Sequence, residues 1–533
     1  MVTCGGHLTG KCQISLLPGL SRPRRRCFQT AVGRSNPAHT YRNELSSVRP
    51  LCAVVDDRRQ SLEGTEDVDS KIPRSPYNGK TAVVVGAGPS GSLAGMLLAK
   101  RGFNVKIFEK RGNPNNIPES SHRSIPNVLN PEVTRYLIEL GGKIATDESE
   151  EGLPKLQELY MTDPSNGRMI RVPFPKDFPQ RILMERHAIA SSILKMGMAL
   201  GLPNLEYNFD MDYQGVDLSS KTAKFLTPEG ETEEVGYDLL VGADGINSKI
   251  RDSLQASGHL NFTQRTTPRT NISVRSLPLP KDASSRKFLI DNLGFGKLAF
   301  GNFTKVEGAK MRLVAFNTGN GFHVIFAGVG DNWHERIKGK ALETVRQVAP
   351  PWCPEEWHEP IAERIMNGRT STIGPATYCS SFIGPDVALL GDACHSATPA
   401  LGIGSNRAVL DARDLDEALG IAGGNVPQAL EAYERKCRPQ IEAIQQLELF
   451  TPESALQGPL PWLAVFFAPH NKFHALSRKL FPESMPTNPY SLMAGSFITP
   501  REALRRYQLF AVAITVAPLT TLGGCIFLLS KLF

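Results

Sequence analysis

The clearest hydrophobic pattern in the chain is an apolar, β-branched run at residues 81–85 that leads into a glycine-rich turn. Such a run is typical of a buried parallel strand. The turn, GAGPSG at residues 86–91, is followed by apolar positions at helical spacing and then by a second apolar run that ends at Glu109. A strand, a glycine turn, a helix and a strand ending in an acid predict a βαβ unit that binds a dinucleotide.

The three glycines of this turn have different expected roles. Gly86 permits the tight turn, Gly88 lets the backbone approach a pyrophosphate, and Gly91 allows close packing of helix on strand. The N-terminus of the helix stabilises the anion, and Glu109 is placed to accept hydrogen bonds from ribose hydroxyls. The alternative is a glycine turn in an ordinary βαβ unit, and the flanking pattern favours the nucleotide site.

A second glycine-rich turn follows the apolar run at residues 387–390. Gly391-Asp392 comes first, and Pro399 and two further glycines precede a helical pattern. This order suits a flavin bound along its whole length, with the first loop at the pyrophosphate and Asp392 at the ribityl chain. The second helix N-terminus then faces the isoalloxazine carbonyls. A protein that binds only NAD does not need the second turn, so the two turns together predict FAD.

An Asp-Gly pair lies between these two turns. A predicted strand at residues 238–241 leads to Asp244-Gly245, with Ser248 and Arg251 at helical offsets. An isolated Asp-Gly pair indicates only a turn, but the preceding strand and the Ser-x-x-Arg favour a binding role. With all three motifs in order, the chain resembles the class A FAD aromatic hydroxylases, the group related to para-hydroxybenzoate hydroxylase. The resemblance implies FAD, NADPH or NADH as a transient reductant, O₂, a small-molecule substrate, and nucleotide contacts for Asp244, Gly245 and Arg251.

Within this group the chain resembles the kynurenine 3-monooxygenases over roughly residues 79–533. The similarity rests on Arg-Ser-Ile at residues 123–125, on Arg186 and on the segment 482–506. It implies a flavin contact for Arg123 and a pyrophosphate contact for Arg186. The sequence identifies no catalytic residue and no metal ligand. The predicted cofactor-binding residues are Gly86, Gly88, Pro89, Ser90, Gly91, Glu109, Lys110, Arg123, Arg186, Asp244, Gly245, Asp392, Pro399, Gly402, Gly404, Ser405 and Asn406.

The chain departs from this family where the substrate is expected to bind. Kynurenine hydroxylases hold the amino-acid carboxylate with an arginine and a tyrosine, and here Glu158 and Phe174 stand at those positions. A carboxylate in place of a guanidinium repels the carboxylate of the substrate. L-kynurenine is therefore expected to be a poor substrate, unless Arg168 or Arg171 supplies the missing guanidinium.

Two smaller departures from the family and two candidate residues complete the site prediction. Ile403 replaces the glutamine usual between the two late glycines, and Phe450 replaces a C-terminal tyrosine. His395 is expected to have a structural hydrogen-bonding role rather than act as a base, and Cys394 to be a small buried hydrophobe. The nine cysteines include no CxxC or metal-ligand spacing, which favours free thiols in a reducing compartment.

The pattern between and after the motifs predicts an α/β fold with a discontinuous, Rossmann-type FAD-binding domain. Alternating positions predict an inserted antiparallel-sheet substrate domain at about residues 256–375, with strands added from 151–180. The predicted domains are a transit peptide (1–52), a linker (53–78), the FAD-binding domain with its insert (79–426), a helical C-terminal region (427–506) and a transmembrane helix (507–530).

The composition of both ends of the chain predicts targeting segments. Residues 1–52 contain eight basic residues and one acid, and they account for the whole net charge of +7, so the charge does not indicate a nucleic-acid partner. Their Ser- and Arg-rich composition predicts an organelle transit peptide, with plastid as first choice and mitochondrion as second. The alternative is a disordered basic tail. Residues 507–530 are 24 uncharged residues, long enough to span a bilayer as a tail anchor; a buried helical hairpin or a monotopic helix is the alternative.

Three functions are compatible with these motifs. The first is a membrane-anchored FAD monooxygenase that hydroxylates an aromatic or other activated substrate. The second is an FAD reductase or epoxidase acting on a membrane-borne isoprenoid or quinone. The third is a flavin-binding structural factor without turnover, which the complete set of motifs disfavours.

Overall fold

The computed structural model describes residues 75–113, 116, 126–141, 158–162, 169–173, 182–265, 272–278, 297–318, 321–329, 332–367, 371–372, 374–397, 402–449, 499–506 and 508. Contacts divide the chain into Met1–Pro73 and Arg74–Phe533, and only the second unit contains described residues. The transit peptide, nearly all of the predicted membrane helix, Arg123, Phe174, Pro399 and Phe450 therefore lie outside the described residues.

Twenty-one strands are described. In chain order they are β1 (Thr81–Val85), β2 (Asn104–Glu109), β3 (Pro126–Leu129), β4 (Glu158–Thr162), β5 (Met169–Pro173), β6 (Ile182–Glu185), β7 (Leu205–Phe209), β8 (Asp212–Asp217), β9 (Thr222–Leu226), β10 (Thr232–Gly236), β11 (Leu239–Gly242), β12 (Phe262–Arg265), β13 (Ile272–Pro278), β14 (Lys297–Phe300), β15 (Thr304–Val306), β16 (Ala309–Thr318), β17 (Gly321–Val329), β18 (Ser371–Thr372), β19 (Ala376–Cys379), β20 (Ile383–Gly384) and β21 (Val387–Leu389).

The helices alternate with these strands in the first part of the chain and dominate after β21. They are α1 (Pro89–Lys100), α2 (Pro131–Glu139), α3 (Arg186–Ala199), α4 (Lys249–Ala256), α5 (Trp333–Arg336), α6 (Ala341–Val348), α7 (His358–Asn367), α8 (Asp392–His395), α9 (Gly404–Ala422) and α10 (Val426–Leu449), with a 3₁₀ turn at Glu355–Trp357. Among the residues that the structure describes, no helix is both long and apolar enough to cross a membrane.

A six-stranded sheet with the order β20-β21-β11-β1-β2-β7 forms the centre of the FAD-type fold. Its neighbours are parallel except for the β20–β21 pair. Val85 of β1 is in register with Gly242 of β11, and Gly242 is in register with Leu389 of β21. Because parallel strands end at the same edge, the three segments that follow these strands meet there. That edge is where nucleotides bind in open α/β sheets.

The second large sheet has eight strands, with the order β18-β13-β17-β16-β14-β4-β5 and with β15 paired to β16. Strands β4 and β5 come from the segment that the sequence predicted to contribute. The sheet is not wholly antiparallel, since β14 pairs with β4 in parallel. The two strands come from distant parts of the chain, so no hairpin requires them to run in opposite directions.

Two hydrophobic cores support the sheets. The larger one contains the buried apolar side chains of the six-stranded sheet and of α1, α9 and α10. The smaller one surrounds Trp333, Trp352 and Trp357, so these tryptophans pack the fold. The last residues of the predicted linker also belong to the larger core. Tyr77 is only 2% exposed, and its hydroxyl donates to the Leu419 carbonyl at 2.6 Å.

Candidate active site

The glycine loop between β1 and α1 leaves open space at one glycine and is tightly packed at the other two. Gly86 has φ of +102°, and a Cβ there would lie 2.4 Å from the Ala243 carbonyl oxygen. A Cβ on Gly91 would lie 1.9 Å from the Gly86 carbonyl oxygen, whereas a Cβ on Gly88 would meet nothing within 4 Å. Gly88 caps α1, and Pro89 is the first helical residue. The open space therefore faces the positive end of a helix, where a phosphate is stabilised.

The Gly391 turn lies directly against this loop. Gly391 has φ of +59°, and a Cβ there would lie 3.3 Å from Ser90 Oγ and 3.2 Å from the Ala408 Cβ. A side chain at this position would be tightly packed, and the positive φ is a backbone conformation that glycine adopts readily. The structure thus brings together two motifs that lie about 300 residues apart in the sequence.

Glu109, at the end of β2, also holds the glycine loop. Its Oε2 accepts the Ala87 N–H at 2.9 Å, and its Oε1 accepts the Arg111 N–H at 3.1 Å. Each carboxylate oxygen has a further lone pair, so the side chain can still accept a ribose hydroxyl. Lys110 is exposed beside it.

The Asp244-Gly245 turn follows β11 at the same edge. Asp244 Oδ2 accepts the Lys249 and Ile250 N–H groups at 2.8 and 3.3 Å. Its Oδ1 is buried and has no hydrogen-bond partner among the described residues. Burial raises the pKa of the Asp244 carboxyl above its usual value, although the hydrogen bonds it accepts act in the opposite direction. Gly245 has φ of +83° and borders open space.

Arg251 connects this turn to the Gly391 segment. It is 3% exposed, and its guanidinium donates to the carbonyls of Ala393 and Ile246 at 3.0 and 3.1 Å. The group also stacks on the Phe262 ring, 4.2 Å from its centroid. These two hydrogen bonds hold the two loops together. The Arg251 Nε atom has no hydrogen-bond partner among the described residues, and the expected nucleotide contact of Arg251 stays a prediction.

Asp392 and Arg186 face each other at the site. The Arg186 Nη2 atom lies 3.7 Å from Asp392 Oδ2, and their side chains are 56% and 33% exposed. Both polar groups are therefore accessible to a ligand. Arg186 begins α3 and Asp392 begins the short helix α8, and the two helices bring together groups far apart in sequence.

The late glycines lead into α9. Gly404 begins this helix, and a Cβ there would meet nothing within 4 Å, whereas Gly402 has φ of +63°. Ser405 is partly exposed beside Gly404. The helix N-terminus therefore borders open space, as the N-terminus of α1 does. Ile403 is 7% exposed and belongs to the larger core, so the residue that replaces the usual glutamine is a packing residue here.

The side chain of Asn406 joins α9 to the end of β3. Its Nδ2 donates to the Val128 carbonyl at 2.8 Å, and its Oδ1 accepts the Asn130 N–H at 2.8 Å. This pair of bonds fixes the end of β3 against the beginning of α9.

His395 and Cys394 lie behind the site rather than in it. Both are buried, and His395 Nε2 lies 2.5 Å from Asp411 Oδ2 on α9. Burial raises the pKa of the Cys394 thiol well above its usual value, so the sulfur is a poor nucleophile. Two buried trios, Cys394–His395–Asp411 and Asp411–Asp414–Cys437, have ligand atoms close together. Arg407 already bridges the two carboxylates, which makes this an ion-pair network.

The described residues fit an FAD molecule in their open backbone and in their hydrogen-bond acceptors. The backbone is open at Gly88 and Gly404, each at the N-terminus of a helix, which are the positions that a pyrophosphate and a flavin ring edge require. The accessible Asp392 carboxylate and the unpartnered Asp244 Oδ1 are acceptors for hydroxyl groups. The individual contacts with the cofactor stay predictions.

Comparison with known proteins gives the class to which this fold and site belong. The family model described as FAD binding domain matches residues 80–448. The chain therefore belongs to the class A flavoprotein monooxygenase family. The α/β FAD-binding fold, the enzyme class and FAD as cofactor, all expected from the sequence, are confirmed. Use of NAD(P)H is typical of this family.

Individual relatives resemble the chain at low identity. Kynurenine 3-monooxygenase of Legionella pneumophila (strain Lens) is 25% identical over 366 residues, which cover 64% of this chain and 72% of the relative. Violacein synthase of Chromobacterium violaceum is 25% identical over 405 residues, with 69% and 84% covered. The solved structure of 2-methyl-3-hydroxypyridine-5-carboxylic acid oxygenase has a TM-score of 0.55 at 20% identity and covers 72% and 96%. This last likeness concerns the fold alone.

Several residues of the site region were not predicted from the sequence, chiefly Arg407, Asp411 and Asp414. One signal was available, because these three residues recur at positions i, i+4 and i+7 of a helix whose other residues on that side are apolar. Charged residues on the buried side of a helix are rarely tolerated unless they are paired. A charged network within the core could have been inferred from that spacing.

Proposed function

We propose that this chain is an NAD(P)H- and O₂-dependent FAD monooxygenase that hydroxylates an aromatic or other electron-rich substrate other than kynurenine. The observation that carries the proposal is the meeting of three loops, at Gly88, Asp244 and Asp392, around open backbone at one edge of the parallel sheet. The family match supplies the redox class.

When bound, FAD supplies the redox chemistry, taking a hydride from NAD(P)H and activating O₂ for transfer of one oxygen atom. The residues of the chain bind and orient it. The N-terminus of α1 would stabilise the pyrophosphate, Asp392 would accept hydrogen bonds from the ribityl hydroxyls, and the N-terminus of α9 would donate to the carbonyl edge of the ring. Exclusion of water from the site would limit side reactions of the bound cofactor.

The family match leaves the substrate open. Relatives named kynurenine 3-monooxygenase and violacein synthase share 25% identity with the chain, so this degree of similarity does not select one substrate. Glu158 carries the proposal against kynurenine. It is the first residue of β4 and is in register with Pro173 of β5 and Lys297 of β14. If Glu158 takes the place of the family arginine, as the alignment predicts, its carboxylate repels the substrate carboxylate instead of pairing with it, and an unpaired buried charge costs several kcal/mol.

L-kynurenine is expected to support little NADPH oxidation and no coupled formation of 3-hydroxykynurenine. The test is a substrate panel of kynurenine, small phenols, quinones and prenylated compounds, read as NADPH oxidation together with product analysis. Arg171→Gln is the control variant, since Arg171 lies in register with Tyr160, two residues along β4 from Glu158. Stoichiometric 3-hydroxykynurenine formation that is lost in Arg171→Gln would show that this arginine replaces the missing one, and the substrate proposal would be wrong.

We further propose that residues 507–530 anchor the enzyme in a plastid membrane, with a mitochondrial membrane as the alternative. The support is the uncharged length of this segment and the basic composition of residues 1–52. A fusion of residues 1–52 to a fluorescent protein distinguishes the two organelles.

Deletion of residues 507–533 is expected to release the protein from membranes with FAD still bound. All predicted flavin contacts lie before residue 412, so the truncation removes no part of the cofactor site. The measurement compares full-length and truncated protein in carbonate-washed membranes and records flavin absorbance of the soluble fraction. Retention of the truncated protein by washed membranes would contradict the anchor.

A further inference from the structure

A buried carboxylate on α9 holds the Gly391–His395 segment from behind. The Asp411 side chain is 0% exposed, and its Oδ2 accepts the Gly391 N–H at 2.9 Å. The same oxygen lies 2.5 Å from His395 Nε2. These two contacts bracket Asp392, one residue before it and three residues after it.

The charge of Asp411 is compensated within the core. Arg407 Nε lies 2.6 Å from Asp411 Oδ1, and Arg407 also pairs with Asp414, whose Oδ1 lies 2.9 Å from Lys436 Nζ. Burial acts to raise the pKa of Asp411, but its contacts with His395 and Arg407 outweigh this effect and hold the pKa well below its usual range. Asp411 is therefore ionised at neutral pH and can only accept hydrogen bonds.

The Asp392 side chain itself has few contacts, although Arg251 also holds the next residue through the Ala393 carbonyl. Its side chain is 33% exposed, and in the described part of the chain its ion-pair contact is the 3.7 Å approach of Arg186. The preceding residue, Gly391, has a positive φ of +59°, which glycine leaves readily when nothing restrains it. The orientation of the Asp392 carboxylate thus depends on the backbone of its own short segment, and Asp411 restrains that segment on both sides.

We propose that Asp411 is a positioning residue for FAD, acting through Gly391 and His395 to aim the Asp392 carboxylate at the cofactor, while Arg407 orients Asp411. The inference rests on the proposed contact of Asp392 with FAD. It assigns a functional role to a side chain that the cofactor does not touch.

The test compares two neighbouring substitutions on α9, Asp411→Asn and Asp414→Asn. Each removes one buried negative charge from the same network, but only Asp411 contacts the segment at residues 391–395. The measurements are the FAD dissociation constant of the apo-protein by quenching of flavin fluorescence, thermal unfolding of the apo-protein, and visible circular dichroism of the flavin at saturation.

Asp411→Asn is expected to raise the FAD dissociation constant about tenfold, the effect of losing one well-placed charged hydrogen bond, and to change the flavin dichroism. Asp414→Asn is expected to lower the unfolding temperature while leaving the FAD dissociation constant within about twofold of the wild type. Equal effects of the two variants on FAD affinity, in proportion to their loss of stability, would overturn the inference.

Two further variants keep the test decisive. His395→Asn removes the same contact from the opposite side, so it replaces Asp411→Asn if that variant does not fold. Combined with Asp411→Asn it should add less than the sum of the single effects, because both act through one contact.

Asp392→Ala separates the proposed contact of Asp392 with FAD from the proposed positioning role of Asp411. Unchanged FAD affinity in Asp392→Ala would overturn the site assignment and the inference together, whereas loss in Asp392→Ala without loss in Asp411→Asn overturns the inference alone.

Discussion

Gly88→Val is expected to yield a folded protein that does not bind FAD. A Cβ at Gly88 meets nothing within 4 Å, and its φ of −70° with ψ of −178° is available to any residue. The apo-protein therefore accepts the side chain with little strain. The same branched side chain occupies the space in which a pyrophosphate approaches the backbone. Steric overlap of about 3 kcal/mol corresponds to a rise of roughly 100-fold in the FAD dissociation constant.

The measurement for Gly88→Val is flavin content after purification, with apo-protein unfolding followed by circular dichroism. Gly236→Val is the matched control. A Cβ there also meets nothing within 4 Å, but Gly236 precedes β11 and so lies at the opposite end of the sheet from Asp244. Gly236→Val should retain FAD. Full flavin absorbance in Gly88→Val would show that the pyrophosphate does not bind at this loop.

Gly91→Ala is expected to destabilise the fold itself, whereas Gly88→Val affects the binding of FAD. The added Cβ would lie 1.9 Å from the Gly86 carbonyl oxygen and 3.1 Å from the Ala243 Cβ. A backbone oxygen cannot move aside as the end of a flexible side chain can, so α1 has to shift away from β1. Overpacking of this kind costs about 3 kcal/mol.

Chemical denaturation of apo-protein measures the effect of Gly91→Ala on the free energy of unfolding. Gly88→Val serves as the comparison, since it enlarges a glycine of the same loop without a clash. Unfolding of Gly91→Ala at the same denaturant concentration as the wild type would contradict the close packing of α1 on β1.

The sequence predicted the parts of this site that depend on neighbours in the chain. The run at residues 81–85, the glycine turn and the acid at Glu109 form one local unit, and β1 has the predicted bounds. The strand before Gly391 was predicted for the same reason, because a short apolar run between turn residues has the length of a strand rather than that of a helix.

The contacts that join the loops could not be predicted in this way. Arg251 donates to a carbonyl 142 residues away, and Asn406 is bonded to residues 276 and 278 positions earlier in the chain. Such partners are decided by how strands order themselves in the sheet, and periodicity does not contain that information. For the same reason the sequence did not predict that Arg251 joins two loops, since only the fold reveals the carbonyls that its guanidinium reaches.

Oxygen balance during turnover tests the proposed monooxygenase activity most directly. The full-length enzyme is supplied with NADPH, ¹⁸O₂ and the substrate from the panel that gives the highest rate. The expected result is consumption of O₂ and NADPH in equal amounts, with one labelled oxygen atom in a hydroxylated product and no continuing turnover without O₂. Sustained anaerobic oxidation of NADPH coupled to reduction of a quinone or isoprenoid, or labelled oxygen recovered as an epoxide, would contradict the assignment as a hydroxylase.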